Sequence, residues 1–173
     1  MVMAVLPIHE YPDPVLKAKA KPVTEFDQEL QKLIDDMFET MYAAPGLGLA
    51  APQIGRSLRL FVYDLKEGED HPRHSGVLIN PEFISKSGTQ TGEEGCLSVS
   101  EYRTQVTRAN KVVVKGVDRN GKEVAVEGEG LMARLLQHEM DHLDGTLFVD
   151  RLSSLKRQMY LKRLKKRMKA EAR

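Results

Sequence analysis

The chain has 173 residues, 41% of them hydrophobic and 29% charged, which allows a self-sufficient core and excludes a disordered chain. Its apolar runs, such as Leu58–Tyr63 with Arg59 inside it, fall far short of the ~20 residues a membrane-spanning helix requires, so no membrane partner is expected. A balance of 26 basic and 25 acidic residues excludes a protein coated throughout by nucleic acid, and a single cysteine, Cys96, excludes an internal disulfide and points to a reducing compartment.

Taken along the chain, the segment Met1–Pro7 has no basic stretch ahead of its apolar residues and does not read as a secretory signal, so a cytoplasmic location is expected. Thr24 with Asp27 three residues later predicts a capping box for a helix from about Asp27 to Tyr42. Leu30, Leu33, Ile34, Met37 and Met41 recur there at helical spacing, and Pro45-Gly46 ends it. Leu58–Leu65 reads as a strand, Lys66–Ser75 as a charged surface loop, and Val77–Asn80 as a short strand stopped by Pro81. Lys111–Val117 and Glu123–Glu127 flank Asp118-Arg119-Asn120-Gly121, a strong hairpin signal. Glu129–Leu143 is expected to be a second helix closed by Gly145, and Leu152–Ala172 a third, highly charged one. There is no internal repeat. Strands and helices mix without regular alternation, which predicts an α+β class, with residues 1–152 as a catalytic unit and 153–173 as a basic C-terminal helix.

The strongest chemical signal is His138-Glu139-Met140-Asp141-His142. Residues four apart share a helix face, so both imidazoles can reach one metal ion, while Glu139 stands one step round, placed to serve water at the ion. Leu131, Leu135 and Leu136 make the helix core-facing. Two histidines are an incomplete site, because catalytic metals usually keep three protein ligands and one open position. The pattern H-E-x-x-H-x-x-G-x-x-H breaks at Phe148, and the only glutamate after His142 is Glu171. His9, His71 and His74 lie near the N-terminus or in the charged loop. Cys96, in Glu93-Glu94-Gly95-Cys96-Leu97-Ser98, is left as the third ligand, although a lone cysteine can equally be a small buried hydrophobe. A third segment, Gly46-Leu47-Gly48-Leu49-Ala50-Ala51-Pro52-Gln53-Ile54-Gly55, is dense in small residues. It would let a substrate backbone approach closely, and Gln53 offers an uncharged amide donor.

In order and spacing these three segments resemble the motifs of the peptide deformylases, and the likeness runs from about Ile8 to Asp150. Ser100, where many members carry proline, and Arg134, where some carry an apolar residue, are departures; the second bears on the methionine pocket. The resemblance implies a central HExxH helix wrapped by small, mostly antiparallel sheets. It also implies hydrolysis of the N-formyl group from the formyl-methionine of newly made proteins, releasing formate. One divalent ion would be held by Cys96, His138 and His142: Fe2+ in the cell, with Zn2+, Ni2+ or Co2+ able to take its place. Glu139 would be general base and then general acid, and Gln53 and the Leu97 backbone N–H would stabilise the oxyanion. Gly48 would bind the substrate backbone, with Leu47, Glu94, Leu131 and Leu135 about the methionine side chain. The partners implied are nascent formyl-Met polypeptides.

The C-terminal helix carries Lys156, Arg157, Lys162, Arg163, Lys165, Lys166, Arg167, Lys169 and Arg173 against Glu171. Leu155, Met159, Leu161, Leu164 and Met168 are expected to dock its first turns and leave the rest projecting. Such a helix can draw the protein to polyanionic ribosomal RNA, where formylated chains emerge, without taking part in the chemical step.

Overall fold

The computed structural model describes residues 3–69 and 71–172. Among these residues three α-helices, α1 (Gln28–Ala43), α2 (Leu131–Leu143) and α3 (Ser154–Glu171), accompany seven strands: β1 (Gly48–Ala50), β2 (Leu60–Leu65), β3 (His74–Ser87), β4 (Gln90–Cys96), β5 (Val99–Arg108), β6 (Lys111–Val117) and β7 (Glu123–Glu129). One sheet has the order β1-β2-β3-β6-β7, every neighbouring pair antiparallel, and β4 and β5 form a separate antiparallel hairpin. The class is α+β, as the sequence predicts. Among the described residues no helix is long and apolar enough to cross a membrane.

The first helix starts on a different cap from the one expected. Asp27, not Thr24, is the N-cap, and its carboxylate accepts the Leu30 amide at 2.9 Å. The apolar face, Leu30 to Met41, packs with Leu49, Leu60, Val62 and Ile79 into one cluster of the core. Every residue of β2 is buried, Asp64 included, because α1 and α2 both pack on it. The third strand is far longer than Val77–Asn80. It passes Pro81 through a register shift between Ile79 and Glu82, and Asn80, at φ 52°, turns its side chain to pair with both backbone groups of Val23. His74 and Ser75 thus belong to this strand rather than to the loop. The hairpin at Asp118–Gly121 forms as expected, with Asp118 Oδ1 accepting the amides of Asn120 and Lys122. Its second strand runs on to Glu129, so α2 begins at Leu131 after a turn at Gly130.

All of α2 is buried except Leu131. One side, Met132, Ala133, Leu135, Leu136, Met140 and Leu143, fills the main apolar cluster with Phe61, Tyr63, Leu78, Val112 and Val114 of the sheet. The other side carries Arg134, His138, Asp141 and His142, one stripe at helical spacing, and the β4–β5 hairpin covers that stripe. Beyond Gly145, at φ 73°, the chain makes a tight turn at Phe148–Arg151 and enters α3 with Ser153 as N-cap. Of the predicted stripe on this last helix only Leu164 docks. Leu155 and Met159 are 68% and 59% exposed, and Leu161 and Met168 are also open. Tyr160 and Leu164 are the buried pair, packed with Val99, Val106 and Phe148. The docked face therefore lies mid-helix, and a tyrosine that breaks the aliphatic pattern is its centre.

Candidate active site

Cys96 ends β4 at the tip of the hairpin, where the register shifts between Gly95 and Cys96 so that Cys96 pairs with Val99. His138 and His142 rise from α2 directly beneath. Cys96 Sγ lies 3.4 Å from His142 Nε2, which is 3.3 Å from His138 Nε2, and the three donor atoms all lie within 4.8 Å of one another. Bonds of about 2.0–2.3 Å at tetrahedral angles put neighbouring ligand atoms about 3.3–3.6 Å apart, so the donor set fits a single tetrahedral ion.

The neighbours of these donors fix what each can do. Glu94 Oε1 lies 2.7 Å from His138 Nδ1, and a carboxylate can only accept, so Nδ1 carries the proton and Nε2 is left free to ligate. Glu94 also receives Arg108 at 2.7 and 3.1 Å and Arg134 at 2.6 Å. Burial opposes its charge, but the hydrogen bonds from His138 and Arg108 outweigh it and hold the carboxyl far below the usual range. Arg108 bridges on to Asp141 at 2.6 Å, and Arg151 reaches the same carboxylate at 2.6 Å from the surface. The polar stripe of α2 is thus neutralised residue by residue by the hairpin. Burial pushes the His142 pKa well down, while hydrogen bonds to Cys96 and Glu94 overcome burial and raise that of His138.

On the other side of the cluster, Gln53 sits in the buried turn Ala51–Ile54. Its Oε1 accepts the Ala50 amide at 2.9 Å, which directs Nε2 toward Ser98 Oγ at 3.1 Å and Cys96 Sγ at 3.7 Å. The Ser98 amide also donates to Cys96 Sγ at 3.4 Å, so two donors face the sulfur. Glu139 is 3% exposed, and its Oε2 has no hydrogen-bond partner among the described residues. Burial raises its pKa to about 7. A side chain at Gly48 would meet Glu139 Oε1 at 2.6 Å and Leu135 at 2.9 Å, so only glycine lets β1 pass this close to the carboxylate.

A cavity of about 690 Å³ opens over the cluster. Leu47, Gly48, Gln53, Glu94, Cys96, Leu97, Leu131, Leu135, His138 and Glu139 all line it, while His142 lies behind, 1% exposed. The three predicted segments therefore meet at one place. Glu94, expected only as a side-chain contact for methionine, is tied to Arg108, Arg134 and His138, and Arg134 also lines the cavity wall.

Residues 5–158 match the sequence model of the polypeptide deformylases. The chain belongs to the polypeptide deformylase family. It is 53% identical to a peptide deformylase of Acidobacterium capsulatum, over 97% of this chain and 98% of the relative. A crystal structure of a peptide deformylase from Legionella pneumophila superposes with a TM-score of 0.88 at 51% identity, covering 98% of this chain and 99% of the other. A class I type b peptide deformylase from Acinetobacter baumannii, solved with Met-Ala-Ser bound, gives 0.81 at 38% identity over 87% and 100% of the two chains. Deformylases are metal-dependent hydrolases that remove the N-formyl group from nascent polypeptides, and the Cys96–His138–His142 cluster is this chain's candidate metal site.

Sequence reasoning missed the charged groups that surround this cluster. Arg108 and Asp141 escaped because nothing in a strand pattern marks an inward-facing arginine. The helical spacing of Arg134, His138 and Asp141 was the one available hint that a polar surface had to lie against that side of α2.

Proposed function

We propose that deformylation takes place in the cavity above Cys96, His138 and His142, with these three residues holding one divalent ion. The observation that carries this reading is the convergence of a thiol sulfur and two Nε2 atoms beside a buried carboxylate with an unpartnered oxygen. A bound ion would supply Lewis acidity, making water acidic enough to attack near neutrality and polarising the formyl oxygen. A thiolate with two imidazoles accepts several divalent metals. We assign Fe2+ in the cell, the family's usual ion, with Zn2+, Ni2+ or Co2+ as substitutes.

The chain's own groups divide the remaining work. Glu139 takes the proton of the attacking water and returns it to the departing amine nitrogen, general base and then general acid. The Gln53 amide and the Leu97 backbone N–H stabilise the oxyanion, which the aim of Gln53 Nε2 toward Cys96 supports. Gly48 holds the substrate backbone, and Leu47, Leu131 and Leu135 surround the methionine side chain. Glu94 serves the site through His138 and Arg134. That a relative of 38% identity binds Met-Ala-Ser supports a methionyl peptide as the occupant of this groove.

The natural experiment uses anaerobically prepared, metal-loaded protein and a short formyl-Met peptide, with free amine and bound metal both measured. Cys96→Ala should lose most of the metal and the turnover while staying folded; full metal content in that variant would overturn the ligand set.

We further propose that residues 153–173 form a basic appendage to the catalytic unit 1–152, in the cytoplasm, and dock on ribosomes. Lys156, Arg157, Lys162, Lys165, Lys166 and Lys169 are all exposed on α3, which supports a salt-sensitive attraction to RNA. Neutralising Lys162, Lys166 and Lys169 with glutamine should weaken ribosome co-sedimentation at low salt, and equal binding would return the helix to a solubility role.

A further inference from the structure

Part of the cavity wall is built by residues that follow the cysteine motif, and α3 holds them. Glu101 and Tyr102 line the cavity from β5. Glu101 has φ 60°, a conformation that residues with a Cβ rarely adopt and that persists only where neighbours over-determine it. On either side of that bend the neighbours come from α3. Arg167 Nη1 donates to the Ser100 carbonyl at 3.0 Å and lies 3.7 Å from the Glu101 carboxylate. Tyr160, 4% exposed, places its ring centroid 4.6 Å from that of Tyr102, and the Arg163 guanidinium stands 5.8 Å over the same ring. Tyr102 in turn stacks on Phe148 at 6.0 Å.

We propose that α3 is a specificity element of the deformylase site. Tyr160 and Arg167 are positioning residues that fix the Ser100–Tyr102 wall, and the wall contacts the substrate residues that follow formyl-methionine. The inference rests on the reading of this cavity as the substrate site. If methionine takes the apolar end beside Leu131 and Leu135, the chain beyond it must leave past the remaining walls. Those include exposed Glu93 and Arg103, paired at 2.7 Å, and Tyr102. An aromatic face bordered by charged side chains suits a peptide of variable sequence, because it grips backbone and side-chain surface without demanding one residue type. The Tyr160 hydroxyl makes no hydrogen bond among the described residues, so its ring is what supports the wall.

The test compares formyl-Met-Ala-Ser with formyl-methionine amide, which has nothing beyond the methionine. Tyr160→Ala should raise KM for the tripeptide about fivefold with kcat nearly unchanged, the signature of lost uniform binding. It should leave kcat/KM for the amide near that of the parent. Tyr160→Phe should restore the tripeptide KM. Arg167→Gln, at a partly exposed position where no cavity is created, should move the tripeptide KM in the same direction and keeps the test valid if Tyr160→Ala folds poorly. Parent-like tripeptide KM in both variants overturns the proposal. So does an equal loss on both substrates, which would make α3 a support for the whole site. Failure of the site assignment itself would appear separately, as Glu139→Gln retaining turnover of the amide.

Discussion

The Glu94 carboxylate lies 2.7 Å from Nδ1 of His138, joining the tip of the β4–β5 hairpin to the metal-site helix through a buried hydrogen bond. The bond selects the tautomer that leaves Nε2 facing Cys96 and His142. Groups that orient a ligating histidine in this way typically matter 10–100-fold for metal affinity. Glu94→Gln keeps the volume but removes the charge that Arg108 and Arg134 share. It should weaken metal binding by about that factor and lower the thermal midpoint, since breaking a buried ion pair costs about 3–5 kcal/mol. Competition with a chelator measures the first and thermal unfolding the second. Unchanged metal affinity would reduce Glu94 to a structural counter-ion.

Glu139 should separate metal holding from proton transfer. Its Oε2 is buried without a partner among the described residues, an arrangement a purely structural glutamate has no reason to keep. Glu139→Gln should retain the metal and lose about 10²–10⁴ in kcat. Metal loss in this variant would make the residue a ligand or a support instead.

Gly48→Ala tests how closely that carboxylate is held. The new methyl would stand 2.6 Å from Glu139 Oε1, so either the strand or the carboxylate must move. A displacement of about 1 Å at a reacting group can cost about 10² in rate. A fall of that order with metal content intact is expected. Parent-like rates would show that the carboxylate can step aside at no cost to the reaction.

Stability at low pH should depend on Asp36, remote from the metal site. Its side chain is 7% exposed, 2.7 Å from Lys32 Nζ, and it accepts the Ala4 amide at 2.8 Å. Burial opposes its ionisation, but those hydrogen bonds outweigh it and hold the pKa below the ordinary value. A depressed carboxyl contributes stability above its unfolded pKa of about 3.9 and loses it as pH falls through the folded value. Asp36→Asn should therefore lower the urea midpoint at pH 7, and the gap should narrow as pH drops below about 4. A gap that stays constant with pH would mean the loss comes from packing, not charge.

How much of this was legible follows from the kind of signal each element carries. The helix around Leu30–Met41 and the hairpin at Asn120-Gly121 declare themselves through local periodicity and turn chemistry. So do His138, Glu139 and His142, because four-residue spacing on one helix is a local property. Cys96 could be reached by eliminating other ligands. Strand β3 was cut short at Pro81, since a bulge that carries a strand past a proline depends on Asn80 finding Val23, 57 residues away. The β4–β5 hairpin is harder to read, because β4 buries only Glu94 and β5 buries Val99 and Val106 far apart beside Arg108, so no apolar alternation marks either strand.

By itself the sequence determined the chemistry available: two imidazoles, one thiol, one carboxylate and a small-residue strand, in an order that marks the deformylases. Tertiary structure alone decided their arrangement. It set the Cys96 sulfur 3.4 Å from an imidazole 46 residues away, matched the polar stripe of α2 to the hairpin's charges, and docked α3 through Tyr160 and Leu164 while leaving Leu155, Met159, Leu161 and Met168 open. The division has one physical cause. Propensity and periodicity act between neighbours in the chain, whereas a buried charge is stable only where a distant partner arrives to pair with it, and that depends on how the whole chain packs.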